Sequence, residues 1–228
     1  MGRFFKSSIG RKVAMALSAF FLMFFLLQHL VINSLSVLSP EMFNEVSHFM
    51  GTNPLVQFAL QPVLIFAVIF HFVMGFILEI KNRKAVGIAY AKNNGNANST
   101  WASRNMIYSG LVILAFFVLH FIDFWIPELN VKYIQGDMSG LLEGTQEFRY
   151  FEELQHKFHS HIRTIAYVIS FILLGLHLAH GFTSAFQSVG GTAGRKKTLQ
   201  NIGKAYSIII PLGFIFVALY HHLKYVLS

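Results

Sequence analysis

Four histidines stand where a histidine is costly. His29, His71, His120 and His177 each fall well inside a long apolar run. Hydrocarbon hydrates an imidazole poorly, so an ionisable residue at that depth marks a functional site by default. His71 and His177 share a pattern, His-x-x-x-Gly, completed by Gly75 and Gly181. A glycine one helical turn on lies on the same face, where the missing side chain lets something flat approach the backbone. His180 lies in the same run as His177 but is followed four residues later by Ser184, so His177 is the expected ligand there.

Depth sorts the four into pairs. His29 comes 17 residues after Lys12 and His120 comes 16 after Arg104, each about 25 Å along a helix from that basic end. His71 and His177 each precede the basic end of their run by about ten residues, or about 15 Å. Two imidazoles facing each other across helices fill both axial positions of a haem iron, giving a six-coordinate electron-transfer centre with no place for oxygen. A helix–helix hydrogen bond accounts for one buried histidine, but four at two matched depths ask for more. Zinc would need carboxylates or further imidazoles at one level, and the apolar runs carry only Glu79 and Asp123, at their ends.

The elements that position these residues follow from composition. Of 228 residues, 54% are hydrophobic and 12% charged, and the mean hydropathy is +0.54. A soluble domain carries about 25% charged residues, so the chain is expected to be an integral membrane protein. Five runs are long enough to span, at about 13–35, 55–80, 105–126, 162–187 and 205–223. They are continuous rather than alternating, which favours helices over a barrel. The expected fold is one all-α membrane domain over 1–228: five transmembrane helices in a bundle enclosing two b-type haems.

Charge orients the bundle. Thirteen of the 18 Lys and Arg lie before the first run, between the second and third, or between the fourth and fifth. Acidic residues gather on the other side, from Glu128 to Glu153. The positive-inside rule then gives a cytoplasmic N-terminus and an external C-terminus. The same bias explains the net charge of +8, so no nucleic-acid partner is expected. The apolar run after Lys12 is too long for a signal peptide and is expected to stay as a helix. With no cysteine, the chain offers no disulfide, no iron–sulfur ligand and no covalent haem link. Asn98-Ser99-Thr100 sits on the basic side, where a glycosylation acceptor is inert, and Gly190–Lys197 reads as a flexible basic connection. No internal repeat or dinucleotide fingerprint is evident. His221 and His222, at the outer end of the last run, are expected to be solvated.

Taken in order, Gln28-His29-Leu30-Val31-Ile32-Asn33, Glu41-Met42-Phe43-Asn44-Glu45 and Ser47-His48-Phe49-Met50 resemble a known family. His71-x-x-x-Gly75, Ala91-Lys92-Asn93-Asn94, Arg104-Asn105, His120 and His177-x-x-x-Gly181 continue the resemblance along essentially the whole chain. The family is the cytochrome b membrane anchor of succinate dehydrogenase and fumarate reductase, of the single-chain, five-helix, di-haem type. The linker before Arg104 and the loop after Pro127 depart from its pattern. The resemblance implies two haem b groups: a proximal one ligated by His71 and His177, and a distal one ligated by His29 and His120. It implies a flavoprotein subunit and an iron–sulfur subunit on the cytoplasmic face, and a membrane quinone, commonly menaquinone. A prokaryotic cytoplasmic membrane and a possible higher-order dimer of the complex belong to the same expectation. Ser18 and Arg104 are candidates for propionate contacts; Asn33, His48 and Asp123 are candidates for the quinone site. The competing readings are a di-haem cytochrome b of another dehydrogenase or a hydrogenase, and a haem-free transporter or assembly protein.

Overall fold

The computed structural model describes residues 7–85 and 106–227. Among these the chain is almost wholly helical. The first span, α1 (Ser8–Leu38), opens on Ser7, whose hydroxyl accepts from the Gly10 N–H. Ser39 ends α1 and in turn caps the short α2 (Pro40–Thr52) by accepting from the Met42 N–H. Among the described residues five helices are long and apolar enough to cross a membrane: Ser8–Leu38, Val56–Asn82, Met106–Ile134, His161–Ser188 and Lys196–Val226. The protein is therefore a multi-pass membrane protein. Large side chains such as Phe24, Phe58, Phe66 and Ile162 stand exposed on the outer faces of these helices, as lipid-facing surfaces require.

In two of the spans a π-helical turn stands just before a proline. Val56–Leu60 is a π-helical turn leading into α3 (Gln61–Ala85), with Pro62 second in α3. The third span begins as α4 (Met106–His120), passes through a π-helical turn at Phe121–Trp125 and enters α5 (Ile126–Leu129), with Pro127 second. A proline has no N–H and its ring crowds the carbonyl four residues back. A wide turn at that point relieves the clash and lets the helix continue. For this reason the third span runs to Ile134, eight residues beyond the end its hydrophobicity suggests.

The loop between the third and fourth spans closes on the two-residue bridge Leu141–Phe148 and then on α6 (Tyr150–Phe158). An ionic network with buried cations fastens it. Lys132 pairs with Glu128 at 2.6 Å and donates to the Gly51 carbonyl. Arg149 joins Glu128 to Glu153. Asn44 of α2 donates to the Phe148 carbonyl and accepts from the Phe151 N–H, both at 2.8 Å.

The last spans are α7 (His161–Ser188) and α8 (Lys196–Val226). Helix α1 packs on α3 and α7, and α4 packs on the same two helices, so α1 and α4 face each other across a four-helix bundle, as do α3 and α7. Helix α8 lies outside this ring, against α7 and α1. Pro211 interrupts its hydrogen bonding and frees the Ser207 carbonyl, and a Cβ on Gly175 would come within 3.1 Å of that oxygen. A side chain at Gly175 would push α7 a few tenths of an ångström away from α8 there. Tyr206 bonds the Met23 carbonyl, and Ser36 bonds His221 at 2.8 Å, fixing α8 to α1. His221 is 1% exposed, contrary to the solvated position expected from its place near the chain's end. Helix α6 covers the end of α8: Phe151 and Phe158 lie against the His221 ring.

Candidate functional site: a cavity between two histidine pairs

The four-helix ring does not close on itself. A cavity of about 880 Å³ runs along its axis, within the range of roughly 300–1,000 Å³ usual for cofactor sites. At one end it is lined by Lys12, Glu79, Asn82 and Gln187, and at the other by Asn33, Gln61 and Trp125. Between them the walls are largely Leu, Ile and Phe, which exclude water.

All four deep histidines line this cavity, and they do so in twos. The ring centres of His29 and His120 are 5.8 Å apart, and those of His71 and His177 are 6.3 Å apart. Each pair spans a diagonal of the ring, α1 to α4 or α3 to α7. The two levels lie far apart along the axis. His71 meets Ser18 of α1, and His29 follows Ser18 by eleven residues, or about 16 Å of helix.

The spacing suits an iron held between two rings. With a metal–nitrogen bond of about 2 Å and roughly 1.1 Å from that nitrogen to the ring centre, opposed imidazoles have centres about 6 Å apart. Among the described residues no three His, Asp or Glu side chains gather as metal ligands, so the donors come two to a level. The glycines fit as well. Gly75 and Gly181 line the cavity, and a Cβ on either would meet only the terminal methyl of a methionine, at 3.7 Å from Met15 and 3.5 Å from Met106. Protein packing alone does not demand a glycine at these places.

The surroundings of the two pairs differ. The Ser18 hydroxyl bonds His71 Nδ1 at 3.1 Å and the Met15 carbonyl at 2.7 Å. The Ser109 hydroxyl bonds His177 Nδ1 at 3.3 Å and the Met106 carbonyl at 2.9 Å. At the other level phenyl rings stack on the histidines, and among the described residues the only polar contact to a ring is a long one, the Asn33 amide nitrogen 3.5 Å from both ring nitrogens of His29. Phe25 lies on His29 with centres 5.3 Å apart, and Phe116 on His120 at 5.7 Å. His120 Nδ1 is buried with no hydrogen-bond partner. Tyr167 packs edgewise on Phe116 and donates to Asp123, which also pairs with Arg163 at 3.0 Å.

Of the remaining sequence candidates, Asn33 lines the cavity, and its amide donates to the His29 carbonyl. Asp123 is 1% exposed and engaged by Tyr167 and Arg163, off the cavity wall. His48 lies against the loop between the third and fourth spans, stacked on Phe148 with centres 4.3 Å apart and 3.3 Å from the Tyr150 hydroxyl. Burial, and then the Lys132 charge, hold its imidazole below the ordinary value. Burial and the Glu128 carboxylate push Tyr150 up to about 12. Ser18 meets a histidine ring, not an open end of the cavity. Arg104 lies outside the described residues. His180 lines the cavity and bonds Ser184 of its own helix at 3.1 Å.

Ser109 is the residue that sequence reasoning passed over, and a signal for it exists. Met15-x-x-Ser18, with Phe25 and His29 following, repeats in the same register as Met106-x-x-Ser109 with Phe116 and His120. Helices α1 and α4 therefore carry one pattern twice, on opposite sides of the cavity. Comparison of the chain with protein-family models, with curated proteins and with solved structures gives no match.

Proposed function

We propose that this chain is a di-haem cytochrome b, the membrane anchor that passes electrons between an iron–sulfur subunit and membrane quinone in a succinate:quinone oxidoreductase. One observation carries the cytochrome reading: two opposed histidine pairs, with ring centres about 6 Å apart, facing one cavity at two levels. Assignment to succinate dehydrogenase or fumarate reductase rests on the ordered sequence motifs.

In this reading His71 and His177 ligate one haem b, and His29 and His120 ligate the other. Bound haem supplies reversible one-electron chemistry at its iron. The protein's own part would be to hold each haem between two imidazoles, keep water from the apolar walls and set the donor strength of each imidazole. The basic ends of the helices face the cytoplasm and dock the iron–sulfur and flavoprotein subunits. The end lined by Asn33, Gln61 and Trp125 then lies toward the outer leaflet, where menaquinone has access.

Mild-detergent capture of the tagged chain from its own membranes tests the assignment. The expected result is co-purification of a covalent-flavin polypeptide and an iron–sulfur polypeptide, with succinate-dependent quinone reduction lost in H71A. Capture of a hydrogenase or of another dehydrogenase instead would move this cytochrome to a different complex.

A further inference from the structure

A hydroxyl group has one proton to give. At Ser18 the shorter contact, 2.7 Å, is to the Met15 carbonyl, which only accepts. The serine oxygen must then accept at its other contact, so His71 Nδ1 carries the proton. Ser109 repeats the arrangement: its hydroxyl donates to the Met106 carbonyl, and its oxygen accepts from Nδ1 of His177, a ring that the Met106 carbonyl, also an acceptor, approaches as well. In both rings Nε2 is left with its lone pair. That is the form in which an imidazole binds a metal, and the second-nitrogen hydrogen bond both orients the ring and makes it a stronger donor.

We infer that Ser18 and Ser109 are positioning residues, each fixing the ligating tautomer of a histidine on the neighbouring helix. The serines are 8% exposed and sit in equivalent registers of α1 and α4, eleven residues before His29 and His120. One repeated helix pattern thus serves both levels: its histidine belongs to its own pair, and its serine supports the other pair. The arrangement makes the two centres chemically unequal, because no serine reaches His29 or His120. This inference rests on the haem reading above, and it predicts which of the two centres responds to a serine substitution.

The test is potentiometric titration of the purified wild type, S18A, S109A, and the hydroxyl-retaining S18T and S109T. Loss of the acceptor weakens the donor strength of His71 or His177, which favours the ferrous state. The expected result in each alanine variant is a rise in one midpoint potential with the other unmoved. At least a threefold change in the reduction equilibrium is expected, about 28 mV at roughly 59 mV per tenfold for one electron. Threonine restores the wild-type value. Haem titration of the double alanine variant should show about 10–100-fold weaker binding at one site only. The unmoved second centre reports that the bundle has folded. Two haems with both potentials unchanged, or with both shifted equally, would overturn the inference and leave the cytochrome reading standing. A wild-type chain that binds no haem overturns both.

Discussion

The two histidine pairs make the same offer to a metal and are built by different means. At His71 and His177, hydrogen bonds from the second ring nitrogen to Ser18 and Ser109 set the tautomer. At His29 and His120, the phenyl rings of Phe25 and Phe116 set the tilt, and one ring nitrogen has no partner. A hydrogen bond changes the electronic character of an imidazole, whereas a stacked phenyl ring chiefly restricts its orientation. The difference teaches that one bundle can repeat a ring-to-ring spacing while giving its two imidazole pairs different partners.

Single alanine substitutions break the comparison most severely. H71A or H177A should halve the haem bound per chain and spare the other centre; H29A or H120A should do the converse. Pyridine haemochrome assays combined with redox titration read both the number lost and the identity of the survivor. Loss of both haems from a single substitution would mean that the pairs are not independent.

Next in size is D123A, which removes the carboxylate shared by Tyr167 and Arg163. Breaking a buried pair costs about 3–5 kcal/mol, but Arg163 is a third exposed and rehydrates, so about 2 kcal/mol is expected. Because Tyr167 packs on Phe116 and His120, the accompanying spectral change should fall on the His29–His120 centre alone. Thermal denaturation in detergent, followed at the haem band, checks both statements. Smaller again is F116L, which keeps the bulk but loses the ring. It forfeits about 1 kcal/mol of stacking, or roughly fivefold in haem affinity at that pair. Haem titration of the apoprotein measures it, and an equal loss at the His71–His177 pair would erase the distinction between the two.

The loop between the third and fourth spans provides the control that touches neither pair. His48 is held below the ordinary value of 6.5, so on acidification the unfolded chain takes up a proton before the folded one. Stability from this residue is present above that value and declines as pH falls through and below it. The ring is half-buried, and solvent screening keeps the effect under ~1 kcal/mol. Comparing the acid limb of the stability profile in wild type and H48Q detects it; both haem spectra should stay unchanged over that limb.

Much of this architecture is legible from residue order alone. A run of 20 or more apolar residues has few options in lipid, so five runs give five spans. Depth along each run then assigns the four histidines to two levels before any helix is packed. What stays hidden depends on neighbours. His221 looks peripheral by position, yet α6 folds over it, and Ser36 comes from 185 residues away. The third span outruns its hydrophobic stretch because π-helical turns accommodate proline. Ser18 is visible as a polar residue in a span, but whether its hydroxyl faces a propionate or an imidazole is decided by the rotation of α1 against α3. The Met-x-x-Ser repeat is the exception: it was present in the letters and needed only the two helices to be read side by side.

The central claim is that two haems are each held by two imidazoles. Near-infrared magnetic circular dichroism of the oxidised wild-type chain, calibrated by its pyridine haemochrome content, tests that claim most directly. Two haem b per chain, both low-spin with the charge-transfer band of bis-imidazole ligation, is the result this account predicts. A colourless chain, a single haem, or a high-spin five-coordinate iron would contradict it.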